Sequence, residues 1–502
     1  MFNARASSSE GLRLLGRELF LLVCIVWSLG GNLEAENKHP NGFTPFSYLK
    51  QMKQMKEKIL ISILTLLGCH TTAWADVVID ETNFPDENFR SYIEMVDEYF
   101  FGDGILTDNE IEHIKGINVS KRGIRSLKGI EYLLALETLE CSYNQLTTLD
   151  VSKNTKLTEL SCHHNQLTAL DVSKNNSLIV LQSSNNLFTS LDVSKNPELE
   201  RLTCWNNQLT TLDVSKNTAL TKLSCYNNQL MALDVSKNTA LTVLYCDSNQ
   251  LMALDVSNNA ALTVLNCDHN QLTEIDMSKN TVLTGLYCSN NQLATLDVSK
   301  NTKLTELSCH HNQLTALDVS KNTALTELHC YSNQLTAIDV PNNTALTVLN
   351  CHHNQLTALD VSKNRKLNLL SCGANHLTAL DISNNSELSE LYFPQNKIKD
   401  ETMDALIQSL PNVIGNIYVI WNEEEQNVMT TQQVAAAKAK GWVSYYYDGR
   451  EWLEYAGSEP DGISLIKACT QEEEAIYNLA GQSIDKPRKG INIVNGKKVF
   501  VK

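Results

Sequence analysis

Apolar residues recur along this chain with a fixed period of 21 residues. From Leu136 to Asn396 the chain contains thirteen copies of one unit, in which Leu, Leu, Cys, Asn and Leu follow the spacing L-x-x-L-x-C-x-x-N-x-L. One clean copy begins at Leu157 and reaches its last core leucine at Leu167. A repeat of this length predicts a solenoid, in which each unit contacts only its neighbours and the array buries one continuous core.

Each unit divides into a 10-residue half and an 11-residue half with similar apolar spacing. The alternation of apolar and polar residues around Leu160 and Cys162 predicts a parallel β-strand on the concave side. The other half is too short for an α-helix and two corners, so a short extended segment is expected on the convex side. The predicted fold class is a β-rich leucine-rich-repeat solenoid with little helix in the repeats, a helical N-terminal cap, an α/β C-terminal cap and a small β tail.

Polar residues also keep fixed places in the unit. Every copy has an Asn three residues after the Cys position, as at Asn165, and its amide can bond backbone groups that a turn leaves unpaired. The Asp column, for example Asp171, predicts turns through bonds to nearby amides. Lys174, three residues later, predicts an ion pair with that carboxylate. The alternative for the Asp column is a calcium-binding ladder.

Eleven cysteines occupy one position of the unit, and Ser183 and Phe393 replace them in the other two copies. Neighbouring coils separate Cβ atoms by about 4.8 Å, whereas a disulfide needs about 3.8 Å. No cysteine spacing of zinc type occurs. The pattern therefore predicts a buried ladder of reduced thiols that act as small apolar side chains. The ladder comprises Cys141, Cys162, Cys204, Cys225, Cys246, Cys267, Cys288, Cys309, Cys330, Cys351 and Cys372.

This unit resembles the repeats of bacterial cell-surface leucine-rich-repeat proteins of the internalin J-like type, which carry a cysteine ladder. Its Asp-Val-Ser-Lys-Asn-Thr segments resemble those of surface proteins from Bacteroidetes. The resemblance implies a curved, exported solenoid that binds other molecules and keeps free thiols in its core. Members of this group differ widely in ligand, so the resemblance implies an architecture and leaves the target open.

The chain near residue 52 has the layout of a signal peptide. Lysines precede the apolar run Ile59–Leu67, and an A-x-A cleavage site ends at Ala75. The alternative is a lipoprotein, because Leu66-Leu-Gly-Cys69 resembles the box in which the cysteine is acylated. Export to the cell surface or the medium is expected in either case.

The flanks of the repeats predict caps, because an open solenoid end would expose the core. Near Gly104 the sequence resembles half of an EF-hand loop, but Tyr99 and Phe101 stand where the first carboxylate ligands belong, so a helix-loop-helix cap without metal is expected.

The tail resembles the sorting region of type IX secretion cargo from Bacteroidetes; the alternative is a structural β tail. The predicted organisation is an upstream leader (1–51), signal peptide (52–75), N-terminal cap (76–135), solenoid (136–396), C-terminal cap (397–456), linker (457–462) and sorting-like β module (463–502).

The net charge of −16 argues against nucleic acid and anionic membranes as partners. No nucleophile elbow, zinc helix motif or phosphate loop occurs, so the chain is predicted not to be an enzyme and to need no cofactor. Pairs such as His163 and His164 are predicted to chelate metal poorly, because adjacent strand residues point to opposite faces. No metal site is expected.

Variable residues, several of them aromatic, flank the inward Leu and Cys on the concave face. Aromatic residues with polar ends dominate binding hot spots, so this face predicts recognition of a protein ligand by a surface-displayed module for adhesion or for host or bacterial interaction. The alternative is a glycan-binding module whose Trp and Tyr ridge stacks on sugar rings. Attachment to the outer membrane or cell surface would use the C-terminal tail or Cys69. The predicted ligand-binding residues are Trp205, Tyr226, Tyr245, Tyr287, His310, His329, Tyr331 and His352.

Overall fold

The computed structural model describes residues 76–421 and 425–458, together with four strands of the tail between residues 476 and 501. The leader and signal peptide predicted for residues 1–75 lie outside the described residues. Within the described part of the chain, no helix combines the length and the apolar character that crossing a bilayer requires.

The N-terminal cap contains two helices and the first strand of the parallel sheet. Phe84, Phe89 and Ile93 are fully buried in it. Because an uncovered first coil would expose its leucines to water, this burial closes one end of the core. The elements in chain order are β1 (Val77–Val78), α1 (Glu87–Phe100), β2 (Ile105–Leu106), α2 (Asp108–His113), β3 (Gly116–Asn118) and a 3₁₀ turn (Ile130–Tyr132), and β1 pairs antiparallel with β2.

Carboxylates in the loop between α1 and α2 accept hydrogen bonds from the protein itself. Glu110, which stands where an EF-hand has its bidentate glutamate, accepts from the amide and the hydroxyl of Thr107 at 2.7 and 2.8 Å. These bonds form a capping box that starts α2. Asp97 accepts from the amide of Gly104 at 2.8 Å. The loop is therefore held by helix capping and turn bonds.

The solenoid consists of thirteen three-residue strands at 21-residue spacing. Neighbouring strands are parallel and pair through the same three positions, as in Leu223 with Leu244 and Ser224 with Tyr245. This constant register stacks equivalent residues in columns and confirms the predicted β-solenoid. The strands are β4 (Thr138–Glu140), β5 (Glu159–Ser161), β6 (Val180–Gln182), β7 (Arg201–Thr203), β8 (Lys222–Ser224), β9 (Val243–Tyr245), β10 (Val264–Asn266), β11 (Gly285–Tyr287), β12 (Glu306–Ser308), β13 (Glu327–His329), β14 (Val348–Asn350), β15 (Leu369–Ser371) and β16 (Glu390–Tyr392).

Leucine and cysteine fill the interior of the coils. The eleven cysteines among the described residues are all buried and unpaired, and Cys204, Cys225 and Cys246 lie in register with 0% exposure. Ser183 takes the same place in one coil, where its hydroxyl donates to the carbonyl of Thr203 at 3.2 Å. The hydroxyl therefore enters this column without an unpaired donor.

We expect the ladder thiols to resist alkylation in the folded protein. Burial raises the pKa of Cys204 and of Cys309 to about 12, and only the thiolate reacts readily. Iodoacetamide labelling at pH 8, mapped by peptide mass spectrometry, should modify these cysteines in urea but leave them free in buffer. Equal labelling of Cys246 in both conditions would contradict a closed core.

Asparagine side chains join each coil to the next. In the first Asn column, Asn228 accepts from the amide of Leu209 at 3.0 Å and donates to the carbonyls of Cys204 and Cys225 at 3.1 and 3.0 Å. A second column lies at the opposite turn, where residues such as Asn238 donate to two carbonyls of the preceding coil. The first column thus satisfies buried backbone groups that the turn leaves unpaired. The second column adds side-chain bonds to carbonyls that already accept from backbone amides, such as those of Val214 and Asn217.

The Asp column caps a turn on the convex side. Asp234 accepts from the amide of Ser236 at 2.8 Å, and this bond holds the pKa of its carboxyl below the ordinary value. The predicted ion pair does not form, because in the described part of the chain no lysine nitrogen lies within 4.0 Å of these carboxylates. Lys237 lowers the pKa of Asp234 only as a more distant charge. The convex segments contain turns and two isolated bridges, one of them between Asp150 and Asp171.

The C-terminal cap extends the same sheet. Trp442 is fully buried there and its indole N–H donates to the carbonyl of Pro411 at 2.8 Å. Ser458, which the sequence assigns to the linker, is held in the cap by a bond from its amide to the carbonyl of Met429 at 3.0 Å. The elements are α3 (Asp400–Ser409), β17 (Gly415–Ile420), α4 (Thr431–Ala439), β18 (Trp442–Tyr447) and β19 (Trp452–Glu454), where β17 and β18 continue the parallel order and β19 returns antiparallel.

The tail strands form a separate antiparallel sheet. They are β20 (Ile476–Tyr477), β21 (Ser483–Ile484), β22 (Gly490–Val494) and β23 (Lys497–Val501), arranged in the order β21-β20-β22-β23. This pairing is the antiparallel arrangement expected from the pattern of the last forty residues.

Candidate ligand-binding face

The outer side of the parallel strands, called the sheet face below, carries four columns of side chains. On the coil of β8, Lys222 and Ser224 flank the inward Leu223 and belong to the first and second columns. Tyr226, which follows the inward cysteine, belongs to the third column. Asn227 belongs to the fourth and has a left-handed backbone with φ 54°. Equivalent residues on other coils follow at intervals of 21 residues.

The eight predicted ligand-binding residues are all half-buried on this face. Tyr245, Tyr287 and His329 lie in the second column, and the other five lie in the third. Trp205 and Tyr226 are stacked, with ring centroids 5.0 Å apart and planes within 6°. This pair is called the Trp205 stack.

A second group of rings lies on later coils. Tyr331 is sandwiched between His310 and His352, with centroid distances of 4.1 and 4.3 Å. Burial lowers the pKa of both histidines to about 4, so they are uncharged at neutral pH. This trio is called the His310 stack. The third-column rings among the eight predicted residues therefore form two separate stacks.

Acidic residues separate the two stacks in the third column. Asp247, Asp268 and Ser289 occupy the three coils between them. The amide of Ser289 donates to Asp268. Burial raises the pKa of both carboxyls, that of Asp268 to about 6. The centre of the sheet face is thus polar and carries negative charge at neutral pH.

The histidine pairs are arranged differently from the prediction. The rings of His310 and His311 are 5.3 Å apart, because His311 adopts a left-handed backbone with φ 51° that turns its side chain toward the same face. The expectation that adjacent residues point to opposite faces was wrong for this position. The described residues nevertheless contain no group of three or more His, Cys, Asp or Glu side chains arranged to hold a metal ion.

Sequence reasoning missed the first column, which carries most of the charge on the sheet face. Arg201 and Lys222 are register partners on adjacent coils, and Glu306 and Glu327 are register partners further along. The ammonium of Lys222 lies 5.7 Å from the ring centre of Tyr245, within the range of a cation–π contact. These residues stand directly before the inward leucine, and the period-2 alternation of the strand places them on the same face as the second column.

A further aromatic cluster was also missed, in the C-terminal cap. Tyr418 stacks on Tyr392 with centroids 3.8 Å apart and on Tyr445 at 5.2 Å. The ring of Trp452 stands edge-on at 4.9 Å from that of Tyr418. This cluster continues the second column beyond the repeats, since Tyr392 and Tyr418 are register partners.

Stacking decides which part of each ring a ligand can reach. Both faces of Tyr331 are covered by histidines, and Trp205 and Tyr226 cover one face of each other. Tyr331 therefore has no open ring face, whereas Trp205 and Tyr226 each keep one face that the other does not cover. A sugar that binds an aromatic residue lies flat on an open ring face, whereas a protein surface can contact edges and hydroxyls. Tyr331 offers no open ring face of that kind.

Comparison with known proteins agrees with the fold. The family described as Leucine Rich repeats (2 copies) matches residues 323–364, and the LVIVD repeat matches residues 372–392. The solved functional domain of InlJ from Listeria monocytogenes, which includes a cysteine ladder, is 35% identical with a TM-score of 0.66, over 74% of this chain and 80% of that chain. The chain belongs to the cysteine-ladder leucine-rich-repeat family. The buried, register-paired thiols are the feature that it shares with this relative.

Two further comparisons define how far the likeness extends. Internalin J of Listeria monocytogenes serotype 4b is 41% identical over 72 residues, which is 14% of this chain and 8% of the relative's length. A leucine-rich-repeat protein of Leptospira interrogans is 23% identical over 67% of this chain and 91% of that chain, with a TM-score of 0.56. The second likeness shows the fold alone.

Proposed function

We propose that the chain is an exported, surface-displayed leucine-rich-repeat protein that binds a protein ligand through its sheet face. The observation that carries this proposal is the pair of half-buried ring stacks on the sheet face, which lie beside charged first-column residues. Such rigid aromatic groups bury large area at low entropic cost. A solenoid presents them along an extended surface, as repeat proteins do when they bind partners.

The proposal places the activity in binding rather than catalysis, without a cofactor. The sheet face offers a long row of side chains, which suits contact with a large partner. Its negative charge, together with the net charge of −16, favours a partner with cationic groups.

Export is part of the same proposal. The signal-peptide pattern that ends at Ala75 and the sorting-like tail support it. The antiparallel sheet of the tail is compatible with a type IX sorting module of the Bacteroidetes kind. Attachment at the cell surface through this tail or through an acylated Cys69 follows from these motifs.

We expect the double variant Trp205→Ala/Tyr226→Ala to bind its protein ligand about 30-fold more weakly than wild type, because removal of a hot spot costs about 2 kcal/mol or more. The ligand would be identified on arrays of host and bacterial surface proteins, and affinities measured by surface plasmon resonance. Met231→Ala/Met252→Ala is the matched control, because these side chains are 63% and 65% exposed and lie off the sheet face. That control should bind like wild type.

The same experiment separates the glycan-binding alternative. Glycan arrays would be run in parallel with the protein arrays. Binding to glycans alone, lost in the Trp205→Ala/Tyr226→Ala variant, would replace the protein ligand with a carbohydrate. Undiminished binding of a protein ligand by that variant would remove the Trp205 stack from the site.

A further inference from the structure

A hollow of about 330 Å³ lies on the sheet face above Ser308. Ser308 is the register partner of Tyr287 on one side and of His329 on the other, so a small residue stands between two rings in the second column. Its hydroxyl is bonded to that of Ser289 at 2.9 Å. The hydroxyl of Ser308 at the floor of the hollow is therefore already hydrogen-bonded, so a ligand would be recognised by the side chains that form the walls.

Two glutamates form one wall. Glu306 and Glu327 are register partners on adjacent strands, about 4.8 Å apart at the backbone. The hydroxyl of Tyr287 donates to Oε2 of Glu306, and Oε2 of Glu327 lies 3.6 Å from Nε2 of His329. Oε1 of each carboxylate makes no hydrogen bond or ion pair with the described residues. Like charges in register repel each other, so a cation between these oxygens would stabilise both.

The first column supplies no such cation from the neighbouring coils. The first-column residues on either side of the glutamates are Gly285 and Val348, which carry no charge. His310 and Tyr331 line the opposite wall, and the faces of Tyr331 are covered by its stack. The hollow is therefore acidic on one side and bounded by His310 and Tyr331 on the other.

We propose that this hollow binds an arginine side chain of the protein partner, a proposal that rests on the protein-binding function above. A guanidinium is a flat plate with five N–H donors in a fixed fork, so it can donate to both Oε1 atoms while it lies between Tyr287 and His329. The volume lies at the lower end of the range of about 300 to 1,000 Å³ for drug-sized ligands, which suits one long side chain. Lysine would bring one compact charge and no planar fork.

The test uses the peptide Ac-Gly-Arg-Gly-NH2 as probe for the full-length protein, titrated by NMR at low ionic strength. We expect Glu306→Gln/Glu327→Gln to bind it at least 10-fold more weakly than wild type. The matched control is Glu159→Gln/Glu198→Gln, which removes two exposed carboxylates away from the hollow and should change the affinity less than twofold. The peptides with lysine or citrulline in place of arginine should bind more weakly than the arginine peptide.

Three results would overturn the proposal: no binding of the arginine peptide by wild type, equal binding by the two double variants, or equal binding of the citrulline peptide. Both double variants must first show the circular dichroism spectrum of wild type. If wild type does not bind the arginine peptide but Trp205→Ala/Tyr226→Ala still weakens the binding of a protein ligand, only the proposed arginine site is wrong. If both fail, the sheet face is not the binding surface.

Discussion

Replacement of Asn228 by alanine should lower the free energy of unfolding by about 3 kcal/mol, because the buried amide of Leu209 loses its hydrogen-bond partner, at about 1 to 3 kcal/mol, and two carbonyls each lose one of two bonds from Asn side chains. The amide of Leu209 and the carbonyls of Cys204 and Cys225 are all bonded to the Asn228 side chain at 3.0 to 3.1 Å. The two carbonyls also accept from Asn207 and Asn249, respectively, and keep those bonds in the variant. Water cannot replace the side chain, since Leu209 and both cysteines have 0% exposure. The lost hydrogen bonds join the coil of Asn228 to the coil before it.

Asn227→Gly is the matched control. Asn227 is exposed and has a left-handed backbone with φ 54° that glycine adopts freely. Its side chain donates to Asn206 at 2.7 Å, and its backbone amide, which glycine keeps, donates to the carbonyl of Asp247. We expect it to cost less than about 1 kcal/mol. Urea unfolding followed by circular dichroism measures both variants, and hydrogen exchange shows whether the coils of β7 and β8 open first in Asn228→Ala. Equal losses in the two variants would mean that the Asn column does not hold the coils together.

The solenoid could be predicted from the sequence because one residue type repeats at each inward position. Leu223 and Cys225 fix which residues point inward, so the period alone places Ser224 beside Tyr245. The packing of the interior does not depend on which residues face outward. All thirteen repeats have Asn at the position of Asn228. A regular pattern of this kind determines register directly.

The sheet face could be predicted only in part, for three physical reasons. First-column residues such as Glu306 resemble ordinary solvent-exposed charges, and only the hollow gives them a shared geometry. His311 shares a face with His310 because of a backbone dihedral, which hydrophobic alternation does not encode. Tyr418 follows Tyr392 by 26 residues, because α3 lengthens that coil, so the 21-residue period no longer locates it.

Because the 21-residue coils stop at this point, a residue outside the repeats must cover the C-terminal end of the core. The last repeats leave an apolar edge that no further 21-residue coil covers, and a solenoid with an uncovered end frays from that end. Trp442 lies there with 0% exposure. A Cβ on Gly415 would come within 2.9 Å of the indole ring, so the backbone of β17 passes directly against it.

We expect Trp442→Ala to destabilise the protein by about 3 to 5 kcal/mol, the usual cost of removing a buried Trp. The indole N–H bond to Pro411 is lost as well, and opening of β18 should expose β17 and then β16, in that order. Trp421→Ala is the control, because that ring is 41% exposed and stacks on Tyr447 at 4.7 Å; its removal should cost about 1 kcal/mol. Thermal unfolding measures both losses, and hydrogen exchange at β16 and β17 reports the fraying. If Trp421→Ala lowered the stability as much as Trp442→Ala, the stack of Trp421 on Tyr447, and not the buried indole of Trp442, would close the end of the core.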